Sequence, residues 1–105
     1  MKKITKKSRH IDYHERLIED LKDPIEAIAY LNAALMDEDP RIFLIAVRNV
    51  IEAHGMSIAD IAEQTNLNRE NLYRTLSSKG NPKLTSIIPI LNSLGLNLAI
   101  QPYKK

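Results

Sequence analysis

The sequence predicts a mainly α-helical fold, a helical bundle with acidic N-terminal helices and one short C-terminal β-strand. Three observations carry that expectation. Two Asp-Pro pairs, Asp23-Pro24 and Asp39-Pro40, each open an amphipathic stretch; the window Ser57–Ser78 reads as two short helices joined by a tight turn; and after Gly95 the apolar pattern changes to a period of two. At 105 residues the chain has room for one helical core and little for a second domain. With one Phe, four Tyr and no Trp, that core is built from aliphatic side chains.

Residues 1–11 read as a basic arm ahead of a single domain over 12–105. Lys2, Lys3, Lys6, Lys7 and Arg9 stand in the first ten residues with no acid among them. Such an arm serves either as a solubilising tail or as a contact to phosphates. A first helix is expected over Asp12–Leu21, ended by Lys22-Asp23-Pro24. The second, Pro24–Met36, places Pro in the first turn after a capping Asp, with Ile25, Ile28, Ala29, Leu31 and Leu35 as its apolar set. The third starts in the same way at Asp39-Pro40 and runs to His54, burying Phe43, Leu44, Val47, Val50 and Ile51 before Gly55 stops it. Arg48 and Glu52, spaced i, i+4 on it, read as an exposed ion pair worth little. Residues 12–39 hold nine acids against Arg16 and Lys22. This is a solvated surface by default, or a docking face for a basic partner.

The window 57–78 follows. Ser57 is placed as an N-cap with Asp60 three residues later, where a carboxylate meets the orphan N–H groups of the helix start. Ile58, Ile61 and Ala62 share one face. Asn66, which after glycine best tolerates the left-handed backbone, ends this helix, and Asn68 caps the next. Leu72 and Leu76 face the core, so Arg69, Glu70, Tyr73, Arg74 and Ser77 point outward. This is a helix-turn-helix pattern, and its outward groups match base edges and phosphates. The DNA-contacting set is then Ser57, Asn68, Arg69, Glu70, Asn71, Tyr73, Arg74 and Lys79. Arg69 and Arg74 fork onto guanine or grip phosphate, and Glu70 accepts from a cytosine amino group. Tyr73 reaches a phosphate or a thymine methyl unless it packs over its own helix. Asn71 offers an amide to adenine unless it turns toward the bundle, and Ser57, Asn68 and Lys79 serve phosphates.

Lys79-Gly80-Asn81-Pro82 reads as a loop and Leu84–Leu94 as a closing helix. Pro89 conflicts with that helix, so Thr85 is expected to cap a shorter one, giving an irregular start or a kink. Over 96–101, Leu96, Leu98 and Ile100 alternate with Asn97, Ala99 and Gln101 as in a strand. A lone strand needs a partner. The expected one is the same segment of a second copy, antiparallel across a two-fold axis; an extended N-terminus near Ile4, or a simply packed tail, are the alternatives. Such a homodimer presents two recognition helices about 34 Å apart, the spacing of an inverted repeat in DNA.

The window resembles the Cro/cI-like (lambda repressor, XRE) helix-turn-helix in its small residue Ala62 and its apolar Leu67 and Leu72, departing only where that family usually has glycine and this chain has Asn66. More widely, Asp12–Tyr103 is similar to the HigA-like addiction-module antidote proteins. Asp23-Pro24 with Ala29-Tyr30-Leu31, Asp39-Pro40, and Leu72-Tyr73 followed by Gly80-Asn81-Pro82 carry that similarity. The resemblance implies an antitoxin that neutralises a RelE/HigB-like toxin and, as a dimer on double-stranded operator DNA, represses its own operon. A stand-alone helix-turn-helix regulator with no toxin partner is the alternative.

Composition speaks against other classes. Without cysteine there is no disulfide, thiolate metal site or thiol nucleophile. His10 and His14 have the i, i+4 spacing of a helical metal pair but no evident third ligand, and neither a Gly-rich phosphate loop nor a paired nucleophile and base is present. The expectation is therefore a non-enzyme without metal or cofactor. No apolar run reaches the length of a membrane span, and the basic N-terminus lacks a signal peptide's apolar segment, so a cytoplasmic protein is expected.

Overall fold

Among the described residues there are six helices: α1 (Lys6–Asp20), α2 (Pro24–Leu35), α3 (Pro40–Ala53), α4 (Ile58–Thr65), α5 (Arg69–Thr75) and α6 (Leu84–Ser93). The computed structural model describes residues 6–77 and 81–103, with side chains from Tyr13 onward. α1 and α2 pack on α3, while α4 packs on α5 and α6. α4 leaves the axis of α3 at 93°. One continuous core joins the two groups and draws on every helix from α2 to α6, with Leu17 and Ile18 of α1 packed against it.

The starts and stops follow from local chemistry. Asp23 and Asp39 accept from the backbone N–H groups of Ile25 and Arg41 at 2.9 and 3.0 Å, and the proline after each supplies a first-turn residue that needs no acceptor. Arg41 also grips the Asp39 carboxylate with its guanidinium at 2.8–3.1 Å, which holds that carboxyl below its ordinary range. α3 and α6 end alike. Gly55 and Gly95 take φ values of 70° and 81°; their N–H groups reach Glu52 O and Asn92 O, and the next residues, Met56 and Leu96, reach back to Ile51 O and Leu91 O. Both are Schellman endings that satisfy carbonyls otherwise left open.

α3 is the most buried helix. Phe43, Leu44, Val47, Val50 and Ile51 are inside, as the apolar spacing predicts, and Ala46 and Ala53 join them. Each large aliphatic group among them contributes about 1.5–3 kcal/mol of transfer free energy.

Three expectations are corrected, and a fourth, the strand, is not met within one copy. α1 starts at Lys6 rather than Asp12, so residues 6–11, assigned to a basic arm, are helical; no Gly or Pro interrupts that stretch. Residues 1–5 of the arm lie outside the described residues. On α2 the buried stripe is Ala27, Leu31 and Ala34, whereas Ile25, Ile28, Ala29 and Leu35 are exposed, Ile25 by 74%. Nearly all of α2 is apolar, so periodicity alone left its orientation undetermined, and alanine-lined packing lets α2 lie close along α3. α6 starts at Leu84 with an irregular first turn, as expected, but Lys83 rather than Thr85 stands as its N-cap residue and the helix runs on through Pro89. Its first turn is tightened, with Ser86 and Ile87 both donating to Lys83 O at 2.9 Å. The carbonyl Pro89 leaves without a donor belongs to the exposed Thr85, where water can serve it.

Last, the strand over 96–101 is not formed, and no strand occurs among the described residues. Beyond the Leu96 N–H, residues 97–103 make no main-chain hydrogen bond to another described residue. Alternation records which side chains seek burial, but a ladder needs a second strand, and the described residues supply none. Among the described residues no single helix is long and apolar enough to cross a membrane.

The orientation of α2 is testable by urea unfolding. Leu31→Ala should cost about 2–5 kcal/mol, while Ile25→Ala should stay within about 0.5 kcal/mol.

Candidate functional site

α4, the turn 66–68 and α5 are locked by a chain of short-range hydrogen bonds. Ser57 Oγ accepts from the Asp60 N–H at 3.1 Å, and the Asp60 carboxylate accepts from the Ser57 N–H at 2.9 Å, a complete capping box. At the other end Asn66 adopts φ 60°, ψ 18°, the left-handed conformation expected of it. Thr65 Oγ1 donates to Ile61 O at 2.7 Å and accepts from the Leu67 N–H at 3.2 Å, tying the turn to the helix before it. Asn68 Oδ1 then accepts from the Asn71 N–H at 3.2 Å and caps α5. Every bond joins residues at most four apart, so the geometry of this unit is encoded almost wholly within it.

Packing orients the unit. Ile61, Leu72 and Leu76 are buried, with Ile58, Ala62 and Leu67 packed against the core beside them. What remains on α5 faces outward. Arg69, Glu70, Asn71 and Arg74 are exposed, as are Ser57 and Asn68, and Tyr73 is 55% exposed. Asn71, for which a turn toward the bundle was open, stands in solvent with its Oδ1 3.4 Å from Arg74 Nη1. Ser57 and Tyr73 line the same cleft, together with Arg48, Met56 and Ser77. Arg69 lines a separate shallow depression beside Asp60 and Glu63. The structure thus brings seven of the eight expected site residues onto this two-helix unit and its flanks, and the eighth, Lys79, lies outside the described residues. The exposed set on α5 offers two guanidiniums, one carboxylate, one amide and one phenol, able to serve acceptors and donors on a polar polyanion.

Three polar links behind the unit were not foreseen. Arg48 does not pair with Glu52; its Nη1 donates 3.0 Å to Leu76 O, the carbonyl that ends α5. Glu52 instead stands 3.4 Å from His14 Nε2 on α1, an ion pair when His14 is protonated. Asn49 Nδ2 donates 2.8 Å to the Tyr30 hydroxyl on α2. Polar residues inside the apolar run of α3 are visible in the sequence. Their partners are not, being 28, 38 and 19 residues away for Arg48, Glu52 and Asn49.

Residues 11–102 match the model of a family described as "Probable addiction module antidote protein". An uncharacterized protein of Haemophilus influenzae is 31% identical over 83 residues, covering 79% of this chain and 84% of its own length. No solved structure matches significantly.

Because Arg48 holds a half-buried carbonyl rather than a surface carboxylate, Arg48→Ala should lower stability by about 1–2 kcal/mol and Glu52→Ala by less than about 0.5 kcal/mol. Equal effects in urea titrations would restore the simple ion pair.

Proposed function

The chain belongs to the addiction module antidote family, and on that premise we propose that it is the antitoxin of a type II toxin–antitoxin pair, a dimeric HigA-like, Cro/cI-type DNA-binding protein that restrains a RelE/HigB-like toxin and represses its own operon in the cytoplasm. The observation that carries the DNA-binding half is α5 itself. A helix capped at Asn68, preceded by a left-handed Asn66 and anchored by Leu72 and Leu76, turns Arg69, Glu70, Asn71, Tyr73 and Arg74 outward together. In this reading α4 and α5 form a helix-turn-helix with α5 as the recognition helix. Arg69 and Arg74 reach guanine edges or phosphates, Glu70 and Asn71 discriminate cytosine and adenine, and Tyr73 meets a phosphate or a thymine methyl. Ser57, Asn68 and Lys79 position the protein on phosphates.

The toxin half rests on charge. Glu15, Glu19, Asp20, Asp23 and Glu26 of the acidic segment 12–39 are exposed on α1, α2 and the turn between them. A ribonuclease must attract RNA and therefore carries a basic surface. An acidic face is complementary to it and, within a Debye length of about 8 Å, competes for the same attraction. In the dimer, the 96–101 segments pair antiparallel across the two-fold axis and set the spacing of the two recognition helices.

Expression with the product of the adjacent gene tests the toxin assignment. The two should co-purify, and the neighbour expressed alone should arrest growth; a neighbour that neither binds nor harms leaves a stand-alone regulator. For DNA, Arg69→Ala should lose about 1–3 kcal/mol of discrimination at one base pair of the operator, read by competition binding at fixed salt. An unchanged sequence preference would exclude Arg69 from base contact.

A further inference from the structure

The side of α2 that the core leaves unused faces a cleft. Ile28 and Leu35, 44% and 48% exposed, line it on α2, and Leu98 and Ile100 line it on the C-terminal segment, with Ile100 fully exposed. Phe43 of the core also lines it. No charged side chain lines this cleft. A second cleft shares Leu35, Phe43 and Leu98 and reaches Leu84, with the charged Asp37, Glu38 and Lys83 on its lining. Apolar residues gathered around one cleft call for a cover, unlike the scattered exposed apolar groups of an ordinary surface.

The cleft and the chain beside it specify the cover. Residues 97–103 offer main-chain donors and acceptors that no described residue takes up, so an occupant with free main-chain groups of its own can pair with them. The cleft asks for apolar side chains and no charge. Segment 96–101 of a second copy meets both demands, because it carries uncharged residues throughout and apolar groups at alternate positions. A basic partner matches the acidic segment 12–39 and finds no counter-charge in the first cleft, between α2 and the C-terminal segment, whereas two copies meeting through their acidic surfaces would repel.

We propose that α2 forms half of the homodimer interface, with the C-terminal segment of one copy pairing with its equivalent and seating Ile100 against Ile28 and Leu35 of the other. The inference rests on the homodimer reading above and adds to it that main-chain pairing alone does not hold the dimer. The unused face of α2, which sequence periodicity assigned to the core, is buried by the partner copy.

The test is the oligomeric state of the full chain by analytical ultracentrifugation, for the unmodified protein and for Ile28→Glu/Leu35→Glu. The unmodified protein should be a dimer, and the variant should weaken dimerisation by about 30-fold or more while keeping its far-ultraviolet helical signal. A dilution series of the unmodified protein, followed through isoleucine methyl resonances, gives an answer independent of how the variant folds. Ile28 and Ile100 should shift as the dimer dissociates, and the buried Ile61 and Ile90 should not. A monomeric unmodified protein overturns both this proposal and the homodimer reading. A dimer that survives in a folded variant, or dilution shifts at Ile42 and Ile45 instead, overturns this proposal and leaves the homodimer standing. A variant that remains dimeric but no longer retains the adjacent gene product assigns the cleft to that partner and also overturns it.

Discussion

Burial of α3 is the constraint on which the rest of this structure depends. Seven of its fourteen residues are inside, and Val47 and Val50 are wholly removed from solvent. A helix buried this far has few positions left for polar side chains, and those it keeps are put to use. Arg48, Asn49 and Glu52 link α3 to the end of α5, to α2 and to α1, so the polar ties from α1, α2 and α5 meet within five residues of one helix. Displacing α3 would disturb the placement of α5 and of the acidic helices together.

Local determinants were legible in the sequence and distant ones were not. The cap at Ser57, the capping role of Asn68, the left-handed Asn66 and the two Asp-Pro starts depend on groups a few residues apart, and all stand as the sequence indicates. The apolar stripe of α3 was equally plain, because charged and polar residues interrupt it at helical intervals. α2 was different: in PIEAIAYLNAAL apolar groups occupy nearly every side, so the choice of face fell to packing, and packing favoured the small Ala27 and Ala34 around Leu31 over the larger Ile25 and Ile28. The segment 96–101 shows the converse limit. Its alternation is clear, but a strand is a relation between two segments, and the described residues hold only one of them.

Among the expected site residues, exposure was legible because burial of Leu72 and Leu76 fixes the outward side of a seven-residue helix. The support behind that helix was not, since the Arg48 contact spans 28 residues. The surface then divides by chemistry. α5 presents mixed polar groups, α1, the turn into α2 and the start of α2 present Glu15, Glu19, Asp20, Asp23 and Glu26, and the cleft between α2 and the C-terminal segment presents no charge. Three surfaces of different character suit the three partners proposed: a nucleic acid, a basic protein and a second copy.

The proposal that α5 reads DNA while the acidic helices remain free for another partner has a direct test. The direct measurement is amide chemical-shift mapping of the protein as it is titrated with duplex DNA from upstream of its own gene, at fixed ionic strength. Saturable shifts centred on Ser57 and on residues 68–74 are expected, with Glu15, Glu19 and Glu26 unmoved. Shifts confined to α1 and α2, or no saturable shift at α5, would contradict it.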